Sequence, residues 1–278
     1  MEASPQTRLS PTEIKETAKL LRADILRSLA EAGSGHTGGS LGLADVFACL
    51  YFNIMNHRPD EPLWPDRDRL VLSIGHVAPV LYASLAHAGY FPLEELLTLR
   101  KLGSRLQGHP GRDHGLPGIE VSSGSLGQGL SVAVGMALSA KSDNKSWRTF
   151  SIHGDGELQE GSIWEAAMSA AHYKLDNLTA LVDRNGLQID GPTQKVMALE
   201  PLADKWAAFG WNVIECSGNE PEEIIEAYGI AGRHKGQPSV ILAGTLMGKG
   251  VPEIENDYRW HGKAPSKEEA ERFICQIS

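Results

Sequence analysis

The sequence predicts an α/β protein with a mostly parallel sheet and helices on both faces. Two observations favour this fold class. Short β-rich runs alternate with helix-forming segments, and 41% of the 278 residues are hydrophobic, which is enough for a sizeable core. No internal repeat or low-complexity tract indicates another architecture. We expect a tail over residues 1–10, a single α/β domain over 11–264, and a C-terminal helix or tail over 265–278.

The N-terminal part predicts helices around one short strand. Ser10 can cap a helix that starts with Pro11, Glu13 completes a capping box, and Gly33 can end the helix. Next come a second helix, a buried strand and a third helix, over GLADVFACLYFNIM, DRLVLSI and VLYASLAHAGY. Residues 101–124 are rich in Gly, His and Pro and predict a long ordered loop, a feature that is usually functional or disordered.

The rest of the chain alternates helix and strand. The predicted helices are LSVAVGMALSAK, SIWEAAMSAAHY, LADKWAAFG and PEEIIEAYGIAGRH, and the predicted strands are RTFSIH, LTALVDR, WNVIEC and SVILAGTL. A second loop, NGLQIDGPTQ, follows LTALVDR. Parallel sheets bind ligands beyond the carboxyl ends of their strands. We therefore expect the loops after Ile74, His153, Arg184 and Leu246 to surround one crevice.

Charge and cysteine content exclude several classes of protein. The formal net charge is −9 and the basic residues form no stripe, so we expect no nucleic-acid partner. Cys49, Cys216 and Cys275 fit neither a disulfide framework nor a paired-cysteine zinc site. The sequence shows no basic-then-apolar leader and no apolar run near the ~20 residues of a membrane span. We expect a cytoplasmic protein with no membrane partner.

Four of the ten histidines lie in the glycine-containing segments SGHTG, IGHVA, QGHPG and RWHGK, namely His36, His76, His109 and His261. One such histidine would indicate little. Four favour a polar pocket that can exchange protons, carry positive charge and donate to phosphate or alkoxide oxygens. Structural or exposed histidines remain the alternative, and this is the interpretation we prefer for the other six: His57, His87, His114, His153, His172 and His234.

Asp155 and Asn185 each follow a predicted strand. Neighbouring parallel strands would present their side-chain oxygens, with a backbone carbonyl such as that of Leu187, to one hard cation. Mg²⁺ prefers about six oxygens, so three protein ligands imply that a diphosphate completes the shell. An ordinary turn aspartate and turn asparagine remain the alternative.

Glycine-rich segments can allow a ligand to approach the backbone closely. In SSGSLGQGLS, Gly124, Gly127 and Gly129 precede a helix whose free amides could contact a ligand, or they serve only capping and packing. GSGHTGG has the spacing of a dinucleotide-binding loop, but it follows a helix instead of a strand, which disfavours a nucleotide site there.

Together these motifs resemble the transketolase family. GDGELQEG followed by LVDRNGLQIDG is similar to the thiamine diphosphate motif of transketolases, and five further segments match family signatures in the same order: SGHTGGSLG, DRDRLVLSIGHVAPVLYA, GHPG, SSGSLGQGLSVAVGMAL and RWHGKAP. The resemblance covers about Ala32 to Ala264 and implies the diphosphate-binding domain of the thiamine diphosphate-binding fold. The pyrimidine-binding and C-terminal domains of a full-length transketolase have no counterpart here, so the sequence resembles the N-terminal subunit of a split transketolase.

The resemblance implies a transferase that moves a two-carbon ketol unit from a ketose, or ketose phosphate, to an aldose by means of thiamine diphosphate. It implies activity only with a C-terminal subunit that carries the pyrimidine-binding domain, in an α2β2 complex. Asp155, Asn185 and the carbonyl of Leu187 would ligate Mg²⁺, or Ca²⁺ or Mn²⁺. The Gly156 amide would bind the diphosphate.

The remaining site residues are also implied by the resemblance. Gly124 and Leu126 would line the pyrimidine ring through their backbones, and Glu160 would lie at the subunit interface. His76 and His261 would lie close to the diphosphate, whereas His36 and His109 would reach the substrate. The implied catalytic set is therefore His36, His76, His109, His261 and Glu160.

Three departures from the family pattern bear on the substrate. Ser125 stands where the family usually has proline, Arg184 stands where a second aspartate is common, and the usual proline after His36 is missing. A related thiamine diphosphate ketol transferase or synthase acting on a modified sugar is one alternative. A non-catalytic cofactor-binding module is another. GHPG and GHVAPVLY disfavour a deoxyxylulose phosphate synthase or a 2-oxoacid dehydrogenase component.

Overall fold

A five-stranded parallel sheet organises residues 8–277, the part of the chain that the computed structural model describes. Most of the tail predicted over residues 1–10 lies outside these residues. The strands are β1 (Arg69–Leu72), β2 (Thr149–Gly154), β3 (Leu178–Asp183), β6 (Asn212–Ser217) and β7 (Ser239–Gly244). Their order in the sheet is β1-β2-β3-β7-β6, and every neighbouring pair is parallel. Two short strands, β4 (Leu187–Gln188) and β5 (Gly191–Pro192), form a separate antiparallel ladder.

Ten α-helices belong to the described residues. They are α1 (Pro11–Ala32), α2 (Thr37–Gly42), α3 (Ala44–Cys49), α4 (Ala78–His87), α5 (Gly129–Ser142), α6 (Gly161–His172), α7 (Thr193–Val196), α8 (Leu202–Ala208), α9 (Pro221–Arg233) and α10 (Lys267–Ile274). Within residues 8–277, no helix has the length and apolar character needed to cross a membrane.

Helices cover both faces of the sheet, and the side chains of each strand point to them alternately. Leu70 and Leu72 of β1 belong to the core formed with α1, α3, α4, α9 and α10, whereas Val71 belongs to the core formed with α5, α6 and α8. In β7, Ile241 and Val240 divide between the two cores in the same way. The predicted fold class is therefore confirmed.

The first helix has the predicted ends. The Ser10 backbone amide donates to Glu13 Oε2 at 2.8 Å, and the Ser10 hydroxyl accepts from the Glu13 amide at 3.4 Å. Gly33 adopts a left-handed conformation with φ 66° and donates its amide to Leu29 O at 2.9 Å. The capping signals alone located both ends of this helix.

The structure differs from the sequence-based expectations at three places. The helix expected over GLADVFACLYFNIM is α3 followed by a π-helical turn, Leu50–Ile54. SGHTGGSLG contains α2, a short helix with no side-chain cap that could have signalled it. NGLQIDGPTQ is a loop built on the β4–β5 ladder and continues into α7, whereas the 101–124 loop contains only one 3-10 turn, Arg112–His114.

Candidate active site

A cavity of about 330 Å³, here called the strand-end cavity, opens at the carboxyl ends of β1, β2, β3 and β7. Its lining includes Ile74, Asp155, Asn185 and Met247, one from each of the four loops expected to surround a crevice. From β3 the chain crosses to the edge strand β6 and then returns to β7, which lies beside β3. The cavity is thus at the carboxyl ends of the strands, where parallel sheets bind ligands. A larger cavity of about 410 Å³ beside α1 and α10 contains none of the predicted site residues.

Asp155 is a buried carboxylate at the floor of this cavity, 2% exposed. Its Oδ1 accepts from the Gly156 amide at 2.7 Å, so that amide, expected to bind a diphosphate, is bonded within the protein here. Its Oδ2 accepts from the Gly186 amide at 2.7 Å and from Arg184 Nη1 at 3.0 Å. Burial raises the pKa of Asp155, and these hydrogen bonds and the Arg184 charge oppose that rise only in part.

Asn185 and Leu187 both follow β3, and they line the same cavity as Asp155, which follows β2. The Asn185 side-chain oxygen accepts from the Leu187 amide at 2.9 Å, and its nitrogen donates to Asp183 Oδ2 at 2.8 Å. Asp183 also accepts from the Thr245 hydroxyl. The amide group of Asn185 is thus fixed with its oxygen on the Leu187 side.

Asp183 and Thr245 are site residues that the sequence analysis missed. Burial, aided by the nearby Asp155 charge, raises the pKa of Asp183 to about 7. A signal for Asp183 was present, because it is the one charged residue at the end of the apolar strand LTALVD. Thr245 gave no such signal, since a threonine after a strand is ordinary.

Arg184, one of the departures from the family pattern, bridges Asp155 and the more exposed Glu200. It therefore places a fixed positive charge beside the carboxylate predicted to bind a cation. Asp155, Asn185 and Leu187 nevertheless line the same cavity.

The structure brings His36, His76, His109 and His261 together. The ring centroid of His36 lies 4.9 Å from that of His76, 5.7 Å from that of His261 and 6.5 Å from that of His109. His76 and His261 line the strand-end cavity and are 5.2 Å apart. His36 and His109 continue the cluster from there, and His109 is exposed.

The pKa values of these four histidines are lowered, which favours their neutral forms. Burial, together with mutual repulsion among the rings, lowers the pKa of His76 to about 3 and that of His36 to about 4. Burial also lowers the pKa of His261 and of His109, to which the Arg100 charge contributes. A neutral imidazole still offers one N–H donor and one acceptor nitrogen.

The glycine turn, residues 124–129, forms the wall of the site opposite the Asn185 loop. Leu126 lines the strand-end cavity, whereas Gly124 lines a neighbouring cavity of about 320 Å³, and a Cβ atom placed on Gly124 would lie 3.4 Å from the His109 ring. Glu160 is exposed and lines the rim, next to Gly127. Sequence reasoning missed Glu157, a buried residue that also lines this wall.

Comparison with known proteins identifies the family. Residues 12–275 match the family model described as "Transketolase, thiamine diphosphate binding domain". The chain belongs to the transketolase family. It is 44% identical to an apulose-4-phosphate transketolase subunit of Phocaeicola vulgatus over 257 residues, which are 92% of this chain and 91% of that protein.

Two further relatives show how much of a transketolase the chain represents. It is 46% identical to the 6-deoxy-6-sulfo-D-fructose transketolase subunit SqwG of a Clostridium species over 265 residues, 95% of this chain and 96% of that subunit. The structure of transketolase from Leishmania mexicana superposes with a TM-score of 0.88 at 33% identity, covering 97% of this chain but only 41% of that one. The predictions of a thiamine diphosphate domain and of a transketolase-type transferase subunit are confirmed.

The residues present fit both a cation and a diphosphate. Asp155, Asn185 and Leu187 offer the hard oxygen atoms that Mg²⁺ prefers. Among the described residues, no group of three or more His, Cys, Asp or Glu side chains could hold a metal. A cation at this site would therefore also need oxygen atoms from a bound molecule such as a diphosphate. The Nδ1 atoms of His36 and His261 are buried and have no hydrogen-bond partner within residues 8–277, as expected of donors or acceptors meant for a ligand.

Proposed function

We propose that this chain is the diphosphate-binding subunit of a two-subunit transketolase, which transfers a two-carbon ketol unit from a ketose to an aldose. The observation that carries the proposal is the meeting of Asp155, Asn185 and Leu187 with His76 and His261 around one cavity. A diphosphate needs a cation and N–H donors; oxygens that could hold the cation and imidazole groups that could donate lie together at this place.

In this proposal the chain's own residues bind, orient and exchange protons. Asp155, Asn185 and the Leu187 carbonyl would hold Mg²⁺, and Asp183 would orient Asn185. When bound, thiamine diphosphate would supply the carbon nucleophile that no protein side chain provides. His36 and His109 would donate hydrogen bonds to substrate oxygens and move protons, an effect worth roughly 10²- to 10⁴-fold in rate for a positioned acid or base.

A partner subunit is part of the proposal. The relatives that match over their whole length are named as subunits, which supports a separate chain for the second half of the site. Glu160 and the exposed Ile189 stand at the rim of the cavity, where such a partner would cover them. We propose an α2β2 complex in the cytoplasm, with Mg²⁺ as the metal.

The substrate is proposed to be a ketose phosphate or a modified ketose. The two subunit relatives are named for apulose 4-phosphate and for 6-deoxy-6-sulfofructose, which are both sugars that carry an anionic group. The chain should therefore be purified with the product of the neighbouring reading frame and tested with these two ketoses, fructose 6-phosphate and xylulose 5-phosphate. Transfer that requires both chains, thiamine diphosphate and Mg²⁺ is expected.

Two outcomes would overturn this function. A complex that binds thiamine diphosphate and Mg²⁺ but turns over none of these ketoses or other donors would favour a non-catalytic binding module. An active monomer of this chain would contradict the need for a second subunit.

A further inference from the structure

Glu157 is a buried carboxylate in the lining of the strand-end cavity, in the 3-10 turn Gly156–Gln159. Its side chain and that of His153 are both 0% exposed, and His153 Nδ1 lies 3.1 Å from Glu157 Oε2. The cation-binding and proton-transfer roles of the site do not use this pair. Burying an ionisable pair is costly unless every polar atom is satisfied, so its presence needs a physical reason.

Both oxygens of Glu157 accept hydrogen bonds from the walls of the site. Oε1 accepts from the Gly127 amide at 2.8 Å and from the Ser73 hydroxyl. Oε2 accepts from His153 and from the Gly154 amide, at 3.3 Å. Burial alone would raise the pKa of Glu157, but the His153 charge and these bonds together lower it, so the carboxylate stays ionised.

These bonds join three separate segments of the site. Ser73 follows β1, Gly154 ends β2, and Gly127 belongs to the glycine turn. Ser73 also accepts from the Gly129 amide at 3.1 Å, which extends the same network to the first residue of α5. Glu157 is therefore the residue through which the glycine turn is fixed to the strand end that carries Asp155.

The contact between the glycine turn and Ser73 is closely packed as well as hydrogen-bonded. A Cβ atom placed on Gly129 would lie 2.4 Å from the Ser73 Cβ, so the turn leaves no room for adjustment there. On the outer side, the Ser162 hydroxyl donates to Gly127 O at 2.9 Å. The peptide at Gly127 is thus held from both sides, and its inner support is Glu157.

We propose that Glu157, paired with His153, is a positioning residue for the cofactor: it holds the glycine turn at a fixed distance from the Asp155 loop. The glycine turn and the Asp155 loop are then already in place before the cofactor binds. This pre-organisation lowers the entropic cost of ordering the site on binding. This inference rests on the proposed function only in naming thiamine diphosphate as the ligand.

The test compares Glu157→Gln with Asp68→Asn in the complex with the partner subunit. Gln keeps the size of Glu157, but it loses the charge and sets an NH₂ group against the Gly154 amide. Asp68 is a matched control, because it is a buried carboxylate, 2% exposed, that accepts the Asn56 and Arg148 amides at 2.8 and 2.7 Å before the amino end of β1.

We expect Glu157→Gln to weaken thiamine diphosphate binding by about tenfold to a hundredfold, the effect of losing a hydrogen bond to a charged group. Its KM for the cofactor should rise while kcat at saturating cofactor stays close to that of the wild type. Amide hydrogen exchange of the peptide that contains Gly127 and Gly129 should be faster without ligand. Asp68→Asn should lower stability but leave the cofactor affinity within about twofold.

Several results would overturn the inference. They are a Glu157→Gln variant with wild-type cofactor affinity and wild-type exchange at the glycine turn, or an affinity loss that Asp68→Asn reproduces. If Glu157→Gln does not fold, Ser73→Ala decides, since it leaves Glu157 and His153 in place. Faster exchange of the Gly129 amide with weaker cofactor binding would support the inference, and unchanged exchange would refute it. A wild-type complex that binds no thiamine diphosphate would refute the proposed function, and the exchange data would still decide the role of Glu157.

Discussion

Replacing Asp155 by Asn would separate the cation-binding role of this carboxylate from its structural role. The carboxylate accepts three hydrogen bonds, from the Gly156 and Gly186 amides and from Arg184. Asn keeps the shape and one acceptor oxygen, but it removes the charge and turns the second oxygen into a donor. The change therefore affects a divalent cation far more than it affects packing.

The structure allows the two effects to be weighed. Hydrogen bonds to a charged group contribute about 1.5–3 kcal/mol each, so their loss alone would be severe. However, burial raises the pKa of Asp155, which means that folding penalises its charged form, so removing the charge offsets part of that loss. We therefore expect the free energy of unfolding to change by no more than about 2 kcal/mol.

The expected loss of cofactor affinity is larger. Removing a residue that hydrogen-bonds to a metal ligand typically lowers metal affinity about 10- to 100-fold, and Asp155 is proposed as a ligand itself. Mg²⁺-dependent binding of thiamine diphosphate should therefore weaken by at least about 100-fold, which is about 2.7 kcal/mol.

Isothermal titration of the complex with thiamine diphosphate at fixed Mg²⁺ measures the affinity, and urea unfolding followed by tryptophan fluorescence measures the stability. Asp190→Asn is the matched control, because Asp190 is an exposed aspartate in the loop that carries Asn185 and the charge change is identical. Wild-type binding by Asp155→Asn, or equal losses in both variants, would refute the metal assignment.

The same geometry supports three more predictions. Gly129→Ala should destabilise the protein by about 1–3 kcal/mol, because its Cβ would lie 2.4 Å from that of Ser73, whereas Gly135→Ala, with open space around it in the same helix, should stabilise by about 0.5–1 kcal/mol in urea unfolding. Asp183→Asn should weaken Mg²⁺-dependent cofactor binding by about 10- to 100-fold in the same titration. The reason is that Asp183 accepts a hydrogen bond from the side-chain amide of Asn185, a proposed metal ligand, and the substitution would disturb that bond. The pKa of His76 is about 3 in the folded chain and about 6.5 in an unfolded one, so the unfolded chain binds more protons between these values. Stability should therefore fall as pH drops from about 6.5 to about 4, and urea unfolding of His76→Asn should show a smaller fall.

The sequence was informative wherever the signal was local. Capping residues located α1, and alternating strand and helix patterns located the sheet, because both depend on neighbours along the chain. The crevice followed from a general rule for parallel sheets. α2 and the β4–β5 ladder were missed, since their short segments are stabilised by contacts with distant parts of the chain, such as the bond from the Thr37 hydroxyl to Lys263 O at 2.6 Å.

The same limit explains the site. Asp155, Asn185 and the four clustered histidines could be proposed as site residues because they lie in loops that follow a predicted strand or contain glycine. Their supporting residues were not found. His153 was assigned a structural role, yet it pairs with Glu157 four residues later, and only the folded structure shows that both side chains are buried against the glycine turn. These supporting contacts form between segments that are distant in the chain, so the sequence of one segment alone cannot predict them.

Three buried carboxylates at one edge of the sheet give the site its electrostatic character. Arg184 compensates Asp155, and His153 pairs with Glu157, but the side chains that donate to Asp183, those of Thr245 and Asn185, are neutral. Arg184 is itself shared with Glu200, so negative charge exceeds positive charge at the cavity floor. A divalent cation would correct that excess, whereas an anionic diphosphate alone would increase it. The cation and the diphosphate should therefore bind cooperatively, and the histidines, being neutral, can serve as hydrogen-bond donors without supplying the missing charge.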